Sequence, residues 1–143
     1  MRLSKRSEYG LRALLDLTNA SPGAWVPLKE LAARNNLPPK FLEQILLPLR
    51  NVGIARSQVG PGGGYSLGRE ASEITLGEVM RILDGRMAPV SCLSQIAYES
   101  CSCPDEASCL LRLAMTEVRT AIVDVVDRLT LADVVAGRLR ATS

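Results

Sequence analysis

Apolar positions recur at helical spacing from the start of the chain. Between Ser4 and Ala20, Tyr9, Ala13 and Leu17 fall four residues apart with Leu14 beside them, which predicts a first helix with one buried stripe. Ser21-Pro22-Gly23 breaks it. Pro27 opens a short second helix, Leu28 to Arg34, with Leu28, Leu31 and Ala32 inward and Glu30 favourable in the first turn. Asn35-Asn36 makes a tight turn, because asparagine tolerates the left-handed conformation. Pro38-Pro39 starts a third helix in which Phe41, Leu42, Ile45, Leu46 and Leu49 form the buried stripe, with a kink expected at Pro48. Two short helices joined by so brief a turn predict a helix-turn-helix.

The period then changes. Ile54 to Val59 and Tyr65 to Leu67 are strand-like and flank Gly60-Pro61-Gly62-Gly63-Gly64, a β-hairpin with a glycine tip. Thr75-Leu76-Gly77-Glu78 has capping-box spacing and starts a fourth helix through Leu83, stopped by Gly85. A loop containing Pro89 and Pro104 follows. Leu111, Met115, Val118, Ile122, Val125 and Leu129 then alternate by four and three residues, as an interhelical seam does. Leu110, Ala114, Ala121 and Val126 widen that face, and a chain of this length offers it few other helices to pack on, so dimerisation is the expectation. Thr130 caps a last short helix, and the terminal GRLRATS is expected to fray.

The expected fold is mainly α: a winged helix-turn-helix with a small two-stranded β wing plus a long C-terminal dimerisation helix. Residues 1–85 make the DNA-binding domain, 86–109 a cysteine-rich loop, and 110–143 the dimerisation helix with a short C-terminal helix.

Charge sharpens this picture. Residues 1–70 carry ten Lys and Arg against five Asp and Glu, whereas residues 71–143 carry seven against ten, so the basic half is the one with the helix-turn-helix. No apolar run reaches the roughly 18 residues that span a bilayer, and the basic start lacks a signal-peptide core; a cytoplasmic protein without a membrane partner is expected. Histidine is absent, which removes the commonest general base. The glycine tip is neither a Walker loop nor a dinucleotide fingerprint, because strand-forming Tyr65 follows it. An enzyme is not expected.

The polar residues of the third helix suit base reading. Gln44 can pair with adenine and Glu43 can accept from cytosine, while Lys40 and Arg50 can hold phosphate or guanine. Glycines at the hairpin tip (Gly62, Gly63, Gly64) let backbone approach a phosphate or enter a narrow groove. The four cysteines, Cys92, Cys101, Cys103 and Cys109, share one 18-residue window without the paired CxxC spacing of a zinc ribbon. Thiolates suit iron–sulfur clusters, zinc or copper(I), and Cys109 stands at the start of the long helix, where the dipole favours a thiolate. An iron–sulfur cluster, a structural zinc and a dithiol/disulfide switch are all compatible with this spacing; a small iron–sulfur electron carrier would have no use for the helix-turn-helix and wing.

The stretches MRLSKRSEYGLRALLDL and VPLKELAARNNLPPKFLEQILLPLRNVGIARSQVGPGGGYSLGREASEITLGEVM, together with the cysteine loop, resemble the Rrf2 family of bacterial winged-helix regulators, the group including IscR, NsrR and RirA. The likeness runs to about Val135. It implies a homodimeric repressor of double-stranded DNA, with a recognition helix in the major groove and a wing at the minor groove. Its sensor would be an iron–sulfur cluster (2Fe-2S or 4Fe-4S) responding to iron–sulfur, redox or nitric oxide status. On this resemblance Glu43, Gln44 and Arg50 match the recognition helix and Gly60 to Tyr65 the wing. Cys92 and Cys109 match the outer ligands, with Cys103 or Cys101 between them. Val59 stands where members often carry a basic residue, leaving Arg56 and Gln58 as the nearby polar wing contacts. The histidine ligand of some members is impossible here. Glu8 falls in the region from which other members recruit an acidic ligand across the dimer; a first-turn acid stabilising its own helix accounts for it equally.

Overall fold

A computed structural model describes residues 3–85, 105 and 107–140, so most of the cysteine loop lies outside the described residues. Helix α1 spans Lys5–Asn19, its first turn capped by Ser4, whose hydroxyl accepts from the Ser7 amide at 3.0 Å. Ser7 is buried, and its hydroxyl donates to Asp84 at 3.1 Å, fastening the start of α1 to the end of the fourth helix. Helix α2 (Leu28–Arg34) has the expected bounds, and α3 (Pro39–Asn51) starts at the expected proline pair. Between them Asn36 takes φ 55°, and the Asn35 side-chain Nδ2 donates to Asp16 at 2.8 Å and to the Leu31 carbonyl at 2.9 Å. Pro48 sits inside α3 without ending it, although it supplies no amide to the Gln44 carbonyl.

Strands β1 (Ala55–Gln58) and β2 (Gly64–Leu67) pair antiparallel, Ala55 opposite Leu67 and Gln58 opposite Gly64. The first is shorter than the expected Ile54 to Val59. Ile54 is committed to the core, and Val59 leaves the ladder as the tip begins. The outer edge of β2 is covered too. Val26 and Tyr65 exchange amide–carbonyl hydrogen bonds of 2.9 and 2.8 Å, stitching the hairpin to the loop before α2.

Helix α4 (Leu76–Asp84) starts at Thr75, whose hydroxyl accepts from the Glu78 amide, and ends at Gly85. The expected capping box is only half formed. Glu78 turns its carboxylate to Arg69, which donates to both oxygens at 2.7 and 3.0 Å and also reaches the Glu73 carbonyl. Arg69 thus ties the strand leaving the wing to α4. The full box occurs instead at α6 (Leu131–Ala136), between Thr130 and Asp133. The core gathers Leu14, Leu31, Leu42, Ile45, Leu46, Leu49, Ile54, Ile74, Val79 and Leu131 from every layer. Each such side chain contributes about 1.5–3 kcal/mol by leaving water.

Helix α5 (Leu110–Arg128) has no buried residue. Its attachment is at its C-terminal end. The Arg81 guanidinium meets both Asp127 oxygens at 2.7 and 2.8 Å, Leu76 donates to the Leu129 carbonyl, and Leu131 donates to that of Ile74. The Arg81 hydrogen bonds hold the Asp127 carboxyl below its ordinary range. Among the described residues no helix is long and apolar enough to cross a membrane.

Candidate nucleic-acid interface

The face of α3 opposite the core is built by helical spacing alone. Leu42, Ile45, Leu46 and Leu49 are buried, so Lys40, Glu43, Gln44 and Arg50 are turned outward and exposed. The structure therefore brings all four candidate residues of this helix onto one accessible surface. Phe41 was expected in the buried stripe; it is instead 37% exposed on the flank of α3, in a T-shaped pair with Tyr9 whose ring centroids lie 6.0 Å apart. An outward residue that the polar pattern does not mark is Leu47. It lies in line with Lys40, Gln44 and Asn51 at spacings of seven, three and four residues, a signal that the sequence contains.

The wing stands beside this helix. Arg50 donates to the Ser57 hydroxyl at 3.3 Å, fixing β1 against α3. Burial raises the Tyr65 hydroxyl pKa above the ordinary tyrosine range; the nearby charge of Glu43 adds to this and that of Arg50 opposes it. Arg56 takes the other face of β1, where its guanidinium stacks over Trp25 at 5.4 Å and reaches the Ser66 hydroxyl at 3.4 Å. The structure thus separates Arg56 from the row on α3. Gln58 is exposed at the end of β1, and Val59 after it is 96% exposed.

The tip glycines divide into two kinds. Gly62, at φ 77°, has open space where a side chain would stand. Gly63 and Gly64 pack against the chain itself: a Cβ there would lie 2.1 Å from the Gln58 carbonyl oxygen and 2.2 Å from that of Val26. Their absence of a side chain is required by the hairpin before any partner is considered.

Of the four cysteines, Cys109 alone lies among the described residues. It is half-buried at the N-cap of α5, and its sulfur accepts from the Arg112 amide at 3.4 Å. Cys109 thus sits half-buried at the start of a helix, a position compatible with a metal ligand. Among the described residues no three His, Cys, Asp or Glu gather into a metal-binding group. The Glu8 carboxylate receives Lys5 at 3.2 Å and Arg12 at 2.8 Å, one on each oxygen, so reaching a metal across a dimer would require it to give up one of these partners.

Helix α5 presents two different flanks. Met115, Arg119, Ile122 and Val126 are half-buried, with Val126 against Gly77 of α4. Leu111, Ala114, Val118, Ala121 and Val125 are exposed and alternate by three and four residues. The expected seam of Leu111, Met115, Val118, Ile122, Val125 and Leu129 is therefore split. Its Met115, Ile122 and Leu129 half is partly covered by the chain, and Ala114 and Ala121 take the places of Met115 and Ile122 on the outward face.

Residues 3–137 match the family model Rrf2, described as an iron-dependent transcriptional regulator. An HTH-type transcriptional regulator of Rhodobacter capsulatus, named rrf2-like, is 40% identical over 140 residues, covering 94% of this chain and 93% of that protein. The structure of CymR (YrzC), described as the global cysteine regulator of B. subtilis, matches with a TM-score of 0.79 at 33% identity, covering 95% of this chain and 97% of that one. T. potens IscR matches with a TM-score of 0.75 at 27% identity, over 100% of this chain and 93% of the other.

Proposed function

Because the chain belongs to the Rrf2 family of transcriptional regulators, we propose that it binds a two-fold symmetric DNA operator in the cytoplasm as a homodimer, α3 entering the major groove and the wing tip the minor groove. The protein is a regulator and not an enzyme. The observation that carries the proposal is the outward row of Lys40, Glu43 and Gln44 on a helix locked by Arg50 to the adjacent wing. Those side chains match the donor and acceptor pattern of base edges and phosphates. Affinity for a selected operator falls by orders of magnitude as salt rises from low to above physiological. Gln44→Ala and Glu43→Ala each lower the ratio of specific to random binding, at about 1–3 kcal/mol per lost base contact. Unchanged ratios in both variants, measured by fluorescence anisotropy, exclude α3 as the reading helix.

We further infer that Cys109, with Cys92 and one or both of Cys101 and Cys103, holds an iron–sulfur cluster. Support comes from the capped position of Cys109, the soft thiolate set and the iron-dependent description of the family model. A bound cluster would supply a centre open to oxidation, nitrosylation or loss. What the chain itself contributes is connection. Cys109 caps α5, α5 joins α4 through Asp127 and Arg81, and α4 packs on both α1 and α3. A change at Cys109 therefore acts on the helix that carries the outward seam and, through α4, on the helix that faces DNA.

The likeness to CymR favours a second reading, a thiol-only regulator. One preparation separates the two. Protein purified without oxygen carries iron and acid-labile sulfide with visible absorption, and Cys109→Ala loses most of all three. Colourless, iron-free protein whose operator affinity responds to thiol oxidation establishes the second reading instead.

A further inference from the structure

We propose that Leu47 reads the 5-methyl group of a thymine in the major groove, an inference that rests on the DNA-binding reading above. A lone exposed leucine is ordinary on a protein surface. The place of this one is not. Leu47 is 44% exposed, and with Lys40, Gln44 and Asn51 it forms the line of α3 farthest from the buried Leu42, Ile45, Leu46 and Leu49. It is the apolar member of a row whose other members present hydrogen-bonding groups or charge.

The major groove offers the matching chemistry. Base edges there display donors and acceptors throughout, and their one apolar group is the thymine methyl. A leucine set against any other base edge would strip water from a polar group and return no hydrogen bond, which costs affinity. Against thymine it buries methyl on methyl. Spacing agrees with this. Leu47 lies three residues after Gln44, about 4.5 Å along the helix axis, and successive base pairs rise about 3.4 Å. The thymine contacted by Leu47 thus falls one or two base pairs from the base paired by Gln44. Leu47 is a specificity-determining residue, and adenine and thymine close together in each half-site are its signature.

The experiment starts from duplexes that the full-length protein selects out of random-sequence DNA. Each thymine of the selected half-site is then replaced by deoxyuridine, which removes the 5-methyl and leaves every hydrogen-bonding group unchanged. At one position the exchange weakens binding about fourfold, the effect of one buried carbon. Leu47→Ala weakens binding to the thymine duplex by at least as much and abolishes the thymine–deoxyuridine difference at that position alone. Circular dichroism and melting of the variant stay close to the parent, because Leu47 is 44% exposed and lies outside the buried core; Leu47→Gln, of similar length, repeats the loss of discrimination. The proposal is overturned if no deoxyuridine position matters, or if Leu47→Ala keeps the same methyl dependence at every position. Specific binding without methyl dependence removes this inference and leaves the DNA-binding reading standing, whereas failure to select any sequence removes both.

Discussion

Val118→Glu yields a folded monomer that no longer holds its operator. Val118 sits at the centre of the exposed seam Leu111, Ala114, Val118, Ala121 and Val125, on a helix with no buried residue in the single chain. Nineteen residues of α5 extend about 28 Å, long enough for two copies to pack side by side. In such a pair the alanines would allow close approach, with the valines filling the space between them. In a two-fold assembly a central seam residue lies near its own counterpart. Glutamate there buries two carboxylates without partners, and each repels the other. An uncompensated buried charge costs about 3–5 kcal/mol, which raises the dimer dissociation constant about a hundredfold to a few thousandfold. Operator affinity follows, because binding through two linked half-sites exceeds binding through one by about 10²–10⁴. The single chain pays little, since Val118 lies at its surface. Light scattering at micromolar concentration checks the outcome: a parent dimer beside a variant monomer with an unchanged circular dichroism spectrum. A variant that still scatters as the parent dimer places the interface elsewhere. Ile122→Glu is less clean, because Ile122 is half-buried by the chain's own body and a charge there disturbs the fold as well.

Local chemistry made much of this molecule legible. The bounds of α2, the Thr75 and Thr130 caps, the left-handed turn at Asn36 and the glycine-tipped hairpin all follow from residues acting on near neighbours. What sequence reasoning missed was decided over distance. The Val26–Tyr65 bridge joins segments 39 residues apart, and nothing in AWVPL marks a backbone partner. Glu78 occupies capping-box spacing, yet Arg69 outcompetes the backbone because a bidentate guanidinium pair is the stronger partner. Phe41 left the expected buried stripe for a related reason. How far the fold covers Phe41, on the flank of α3, depends on where α1 and its Tyr9 cross, which spacing along α3 does not encode. The polar row of the site was readable because Lys40, Glu43 and Gln44 interrupt an apolar helix. The cysteine set was readable as composition; Cys92, Cys101 and Cys103 lie outside the described residues.

Gly64→Ala detaches the wing and lowers the stability of the whole domain. Gly64 holds φ 147°, a backbone conformation that residues with a Cβ rarely adopt. An added Cβ would lie 2.2 Å from the Val26 carbonyl oxygen, 2.4 Å from its carbon and 2.7 Å from the Pro27 nitrogen. All three are backbone atoms, and the proline ring stiffens the segment, so β2 is the part that must move. Moving it breaks the paired hydrogen bonds between Val26 and Tyr65 and lifts the buried Tyr65 ring from the core. Strain of about 1–3 kcal/mol and two hydrogen bonds at about 1 kcal/mol each are set against a typical domain stability of about 5–15 kcal/mol. The expected fall in melting temperature is about 10–20 °C for a chain of this size. Gly62→Ala is the control. Gly62 also has positive φ, at 77°, but meets nothing within 4 Å, so it costs about 1 kcal/mol and melts within a few degrees of the parent. The pair separates two reasons for glycine at the tip: Gly64→Ala loses DNA binding together with stability, and Gly62→Ala loses it with the fold intact. A Gly64→Ala chain that melts with the parent would mean that the loop before α2 yields to the new methyl, and that the wing is not held by Val26.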